Sequence, residues 1–159
     1  HLLKNSKKLI ILKAFTKLYG MAGVRLGYCL CSDTELLARM RAAGQPWAVS
    51  SLAQAAGIAA LDETEYVAKV RALIEAQRPV LADGLRALGL RVIEGRANYL
   101  LFRAPEALGE ALRRKGAVLR SCGNYPGLDA SWYRTAVRTE NENRQLLALL
   151  AETLPEVAQ

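Results

Sequence analysis

One lysine, set between two apolar runs and a glycine-punctuated turn, constrains this chain more than any other stretch. The segment reads Ala14-Phe15-Thr16-Lys17-Leu18-Tyr19-Gly20-Met21-Ala22-Gly23-Val24-Arg25-Leu26-Gly27-Tyr28. Gly20 and Gly23 carry no Cβ, so the backbone can turn sharply there and approach a ligand closely. Arg25 offers a rigid fork of donors that matches a phosphate. Lys17 offers an amine that can form a Schiff base when its surroundings favour the neutral form. Before the turn, Lys8-Leu9-Ile10-Ile11-Leu12-Lys13 has the length of a strand. After it, Arg25-Leu26-Gly27-Tyr28-Cys29-Leu30-Cys31 is a second apolar run, expected as a fully buried strand.

The spacing Thr16-Lys17-x-x-Gly20-x-x-Gly23-x-Arg25-x-Gly27 resembles the cofactor-lysine segment of the fold-type I pyridoxal-phosphate enzymes, in the class I/II aminotransferase superfamily. The resemblance implies pyridoxal 5'-phosphate as cofactor, Lys17 as the residue that carries its aldehyde, and Arg25 as a ligand of its phosphate. Many relatives place Ser or Thr three residues before the lysine. This chain has Ala14 there, which leaves Thr16 as the substitute hydroxyl. In such enzymes the lysine segment lies past the middle of the chain. Together with a start at His1 rather than Met, this makes the expectation a C-terminal part of a longer enzyme. The expected fold class is α/β, the C-terminal part of a pyridoxal-phosphate-dependent transferase fold. Residues 1–45 are expected to trail the large cofactor-binding domain, 46–88 to be interdomain helices, and 89–159 to form a small α/β domain.

Bulk properties narrow the alternatives. Hydrophobic residues make up 52% of the 159, enough for a packed core and too many for disorder. The net charge of +7 could mark a nucleic-acid partner. Many of the basic residues have acids at helical spacing, as Glu35 with Arg39 and Glu110 with Arg114. The favoured reading is solvated helix faces plus a pocket for anionic ligands, with no nucleic-acid partner. No apolar run reaches the ~20 residues of a membrane span, so no membrane partner is expected. Cys29, Cys31 and Cys122 lack metal-ligand spacing and the only histidine is His1, so no metal is expected. Three reduced, buried thiols suit a cytoplasmic protein.

Taken in order, Ser32-Asp33-Thr34-Glu35 is a capping box opening a helix to about Ala43, with Gly44 as its stop. Ser51 to Leu61 reads as an apolar helix. Asp62 is placed as the cap of a long helix from Glu63 to about Leu88, kinked at Pro79 and stopped by Gly89. Trp47 is either an interface aromatic or a core tryptophan of its own subunit. Strands follow at Leu90–Glu94, Asn98–Arg103, Ala117–Arg120 and Trp132–Arg138. A helix from Pro105 to Lys115 ends at Gly116. Thr139-Glu140-Asn141-Glu142 is a second capping box, and its helix is expected to close at Pro155. Two layers result: about four strands backed by two helices.

A second constellation is Arg120-Ser121-Cys122-Gly123-Asn124-Tyr125-Pro126-Gly127-Leu128, followed by Tyr133-Arg134-Thr135-Ala136-Val137-Arg138. With Gly95-Arg96-Ala97-Asn98-Tyr99-Leu100-Leu101, it narrows the resemblance to the histidinol-phosphate aminotransferase-like branch. Within that branch it resembles the members that decarboxylate an amino-acid phosphate. The aminotransferases usually carry Gly where Arg138 stands. The resemblance implies that Arg134 binds the substrate carboxylate and that Arg120 is a second anion contact, near the phosphate. It also implies a small anionic amino-acid phosphate as substrate and a homodimer for the full-length enzyme. Arg138 either adds positive field or pairs with an acid, the pairing being favoured. Tyr125 is either a mouth residue or loop packing. Cys122 is read as packing, since no histidine can activate it. An aminotransferase of the histidinol-phosphate type and a non-catalytic fragment remain the alternative readings.

Overall fold

The structure, a computed structural model, describes residues 1–157. It divides into two units, His1–Ala68 and Lys69–Gln159.

In the first unit a short helix α1 (Leu2–Asn5) precedes an antiparallel ribbon of β1 (Ile10–Ala14) and β2 (Gly27–Cys31). The register runs from Ile10 opposite Cys31 to Ala14 opposite Gly27. Helices α2 (Thr34–Ala43) and α3 (Ser51–Asp62) follow, and α4 (Thr64–Ala87) begins here. The small-residue face of α3, made by Ala53, Gly57 and Ala60, is buried. A Cβ on Gly57 would collide with the Leu26 side chain, so the glycine is what lets Leu26 reach the helix.

Several expectations fail in this unit for identifiable reasons. The strands flanking the lysine turn are not buried: β1 is exposed throughout, and β2 alternates between exposed and half-buried. A two-stranded ribbon and one narrow helix face offer too little surface to cover both sides. Cys29 and Cys31 are accordingly half-buried, and only Cys122 is buried. Arg25 stands outside β2, in a left-handed conformation with φ 58° after the 3-10 turn Ala22–Val24. The cap of α2 is Asp33, not Ser32: the Leu36 N–H donates to Asp33 Oδ1 at 2.9 Å, while Ser32 Oγ donates to the Ser6 carbonyl. Asp62 belongs to the end of α3 rather than capping α4. Trp47 is 96% exposed, so it is not a core residue of this chain.

The second unit contains the rest of α4, then β3 (Arg91–Ile93), β4 (Tyr99–Arg103), α5 (Leu108–Arg114), β5 (Arg120–Ser121), β6 (Trp132–Ala136) and α6 (Glu140–Val157). The four strands form one antiparallel sheet in the order β3-β4-β6-β5. Alternation puts Leu100, Phe102 and Tyr133 on one face. There they pack with Leu81 and Leu85 of α4, Leu108 and Leu112 of α5, and Leu150 of α6 in a single core.

Local chemistry sets the boundaries. Gly89, at φ 78°, ends α4 with its N–H on the Arg86 carbonyl and the Leu90 N–H on the Leu85 carbonyl, the paired bonds of a Schellman turn. The same pattern after α5 draws the Ala117 N–H back to Leu112. That leaves Ala117 unavailable to the sheet, so β5 is shorter than the expected Ala117–Arg120. Thr139 and Glu142 form the expected reciprocal box at α6. Pro155 does not end α6, which continues to Val157; proline's φ is helical, and the residue lines an apolar groove with Leu88, Leu90 and Leu154. Glu110 pairs with Arg113, at 3.7 Å, rather than with Arg114. Among the described residues, no helix is long and apolar enough to cross a membrane, and no group of three His, Cys, Asp or Glu side chains could hold a metal.

Candidate active site

Lys17, Thr16 and Arg25 lie in one loop, the connection between β1 and β2. It is closed by the Phe15 N–H donating to the Leu26 carbonyl at 3.2 Å and the Met21 N–H donating to the Phe15 carbonyl at 3.3 Å. Gly20 takes a left-handed φ of 66°, as expected of a residue without Cβ. An aromatic pile anchors the loop. Phe15, the one buried side chain of the turn, stacks on Tyr19 with ring centroids 5.1 Å apart. Tyr28 of β2 tilts against Phe15 at 5.8 Å, and Tyr66 at the start of α4 stacks on Tyr19 at 6.4 Å. These rings escaped the sequence reading, although their density around Lys17 was visible there.

The donor set fits an aldehyde that carries a phosphate. Lys17 is exposed and Thr16 half-buried, and neither side chain is engaged by another described residue. The Arg25 guanidinium spends one Nη1 bond on the Ala22 carbonyl at 3.2 Å, which leaves the rest of the fork outward. Gly20 and Gly23 have open space where a Cβ would stand, so backbone is accessible beside both cationic groups.

Arg120 and Arg134 are brought together in the second unit. They are direct partners across β5 and β6, on the sheet face opposite the core. Tyr99 and Leu101 of β4 share this face. The Arg134 guanidinium lies 4.6 Å from the centroid of the Tyr99 ring. Arg120 Nη2 donates to Asn124 Oδ1 at 3.2 Å, and its guanidinium is 6.0 Å from the Tyr125 ring. Tyr125 therefore flanks an arginine and is not merely loop packing. Neither Arg120 nor Arg134 has a carboxylate partner among the described residues, so both charges are left for an external anion. Arg138 differs: its Nε meets Glu142 Oε1 at 2.8 Å. The Glu142 carboxyl is held below its ordinary range by hydrogen bonds from the Thr139 hydroxyl and N–H, and by Arg138.

Comparison with known proteins agrees with this geometry. The sequence profile described as Aminotransferase class I and II matches residues 1–150. The chain belongs to that family, whose cofactor is pyridoxal 5'-phosphate. Threonine-phosphate decarboxylase of Salmonella typhimurium is 38% identical over 98% of this chain and 44% of its own length. Histidinol-phosphate aminotransferase of Symbiobacterium thermophilum is also 38% identical, over 98% of this chain and 43% of its own. The chain thus spans less than half the length of these relatives. Among solved structures, histidinol-phosphate aminotransferase from Clostridium acetobutylicum superposes with a TM-score of 0.92 at 31% identity, covering 98% of this chain and 48% of that one. L-threonine-O-3-phosphate decarboxylase from Porphyromonas gingivalis gives 0.79 at 26% identity, covering 97% and 49%.

Proposed function

We propose that this chain supplies the cofactor lysine and the substrate-anion strands of a pyridoxal-phosphate lyase. The reaction is decarboxylation of L-threonine O-3-phosphate to (R)-1-amino-2-propanol O-2-phosphate, a step that serves cobalamin biosynthesis. The observation that carries the reading is the facing pair Arg120 and Arg134, two forks for a substrate with two anionic groups. In this reading residues 1–45 complete a large domain, 46–88 bridge, and 89–159 form the small domain.

Lys17 Nζ is the amine that anchors the cofactor aldehyde, with Arg25 and the Thr16 hydroxyl on its phosphate. When bound, the cofactor supplies an electron sink that lets a bond at the substrate α-carbon break. Arg134 orients the carboxylate. A tight grip there stabilises the ground state and slows loss of CO2, so the binding energy is drawn instead from the phosphate at Arg120. Lys17 Nζ then holds the proton that is returned to the α-carbon.

The aminotransferase reading stands second, because a histidinol-phosphate aminotransferase matches at the same 38%. The exposed Trp47, Leu52 and Ile58 support a homodimer. Three free thiols support a cytoplasmic setting.

The test is borohydride reduction of the intact, cofactor-loaded protein, followed by assay with L-threonine O-3-phosphate. An adduct on Lys17 and release of CO2 are expected. Amino transfer to 2-oxoglutarate without CO2 would replace the lyase with the aminotransferase. An adduct on the full-length protein but none on residues 1–159 alone would make this chain an incomplete site by itself.

A further inference from the structure

This inference concerns how Arg134 is held, and it rests on the reading of Arg134 as a substrate-anion ligand. Directly opposed like charges on neighbouring strands repel, and Arg120 and Arg134 are so opposed. No carboxylate among the described residues relieves them. Arg134 lies instead with its guanidinium 4.6 Å from the Tyr99 ring centroid, inside the range of a cation–π contact. Tyr99 faces Ala136 and Leu101 faces Arg134, which makes Tyr99 the diagonal neighbour of Arg134 on the same sheet face. The Tyr99 hydroxyl makes no hydrogen bond among the described residues, so the ring face is the part that engages Arg134. Arg120 is held in a different way, through Asn124.

We propose that Tyr99 is a positioning residue for Arg134: its ring fixes the plane of the guanidinium and keeps the fork turned toward the substrate anion against the repulsion of Arg120. Tyr99 is 41% exposed, so the core does not depend on it and its replacement leaves the sheet folded. The ring touches the arginine and not the anion. Its loss therefore weakens substrate binding without removing a contact made only during bond breaking, and such a loss raises KM and spares kcat.

The experiment uses the intact, cofactor-loaded protein with Tyr99→Phe and Tyr99→Leu. KM and kcat are measured for L-threonine O-3-phosphate, and binding of the same compound is read independently by thermal stabilisation. Tyr99→Phe keeps the π face and is expected to hold KM within about two-fold of the parent. Tyr99→Leu is expected to raise KM about three- to five-fold, the ratio for an exposed cation–π contact, with little change in kcat and a matching loss of thermal stabilisation. A Tyr99→Leu protein with unaltered KM overturns the inference alone. So does a Tyr99→Phe protein as impaired as Tyr99→Leu, which would point to the hydroxyl. A fall in kcat and in unliganded melting temperature with no change in KM would also overturn it, as the mark of a merely structural role. A parent protein that neither binds nor converts the compound overturns the substrate reading itself, and this inference with it.

Discussion

The two units hide their apolar residues to very different extents. In Lys69–Gln159 one sheet face, two helices and the end of α4 close around Leu81, Leu85, Phe102, Leu108, Leu112 and Leu150, each fully buried. In His1–Ala68 only Phe15, Ala53, Gly57 and Ala60 are buried among the described residues, while Leu12 is 76%, Leu52 84% and Trp47 96% exposed. Yet the ribbon strands are the more apolar sequences. A strand written for burial on both faces meets only one narrow helix face here. The second unit reads as a domain with its own core. The first reads as a segment whose apolar side chains are written for further cover, and it is the segment that carries Lys17.

The sharpest way to break this comparison is to remove matched side chains from both units. Phe102→Ala is expected to cost about 3–5 kcal/mol in denaturant unfolding of residues 1–159, whereas Leu12→Ala should change stability by no more than about 0.5 kcal/mol. Comparable losses would show that the ribbon is covered after all. A smaller effect tests the polar interior of the second unit. Asn143, 2% exposed, receives the Arg138 N–H on Oδ1 and donates through Nδ2 to the Arg138 carbonyl and Gln77 Oε1. Asn143→Ala should cost about 1–3 kcal/mol by leaving buried groups unpaired, visible as a lower denaturation midpoint. The first unit has a counterpart at Ser50, which caps α3 by accepting from the Ala53 N–H at 3.2 Å. Ser50→Ala should cost about 1 kcal/mol, read as lost helicity at 222 nm on mild heating.

The smallest effect is one of pH, and it is confined to the second unit. Hydrogen bonds from the Ser131 hydroxyl and N–H, with Arg103 nearby, hold the Asp129 carboxyl below its ordinary range. A depressed carboxylate contributes stability above its unfolded pKa and loses it as pH falls through the folded value. Hydrogen bonds to Glu156 and Glu152 raise the Lys115 ammonium; that contribution is complete below its unfolded pKa and is lost as pH rises through the folded one. Asp129→Asn should therefore flatten the acid limb of a stability-against-pH curve, and Lys115→Met the alkaline limb. Equal slopes in parent and variants would discount both pairs.

Much of this architecture could be read from residue order. Gly44, Gly89 and Gly116 mark helix ends because each follows a complete apolar period, and the Thr139 box sits three residues from its glutamate as the motif demands. The placement of Lys17 and Arg25 in one turn was equally legible, since it depends only on neighbours in the chain. What stayed hidden depends on partners far away. Ser32 and Asp33 are both competent caps, and only the backbone angles choose between them. Pro155 has the appearance of a stop until its ring finds Leu154 and Leu90. The facing of Arg120 and Arg134, and the Tyr99 ring beside them, follow from a strand register that no local pattern encodes.

Arg25 carries one last consequence. At φ 58° a side chain costs roughly 1–2 kcal/mol that glycine would not. Arg25→Gly should therefore melt higher than the parent while failing to retain the phosphate-bearing cofactor. A screen for heat resistance alone would drive this position toward glycine, and a screen for turnover would drive it back, so one residue marks where durability and chemistry are selected in opposite directions.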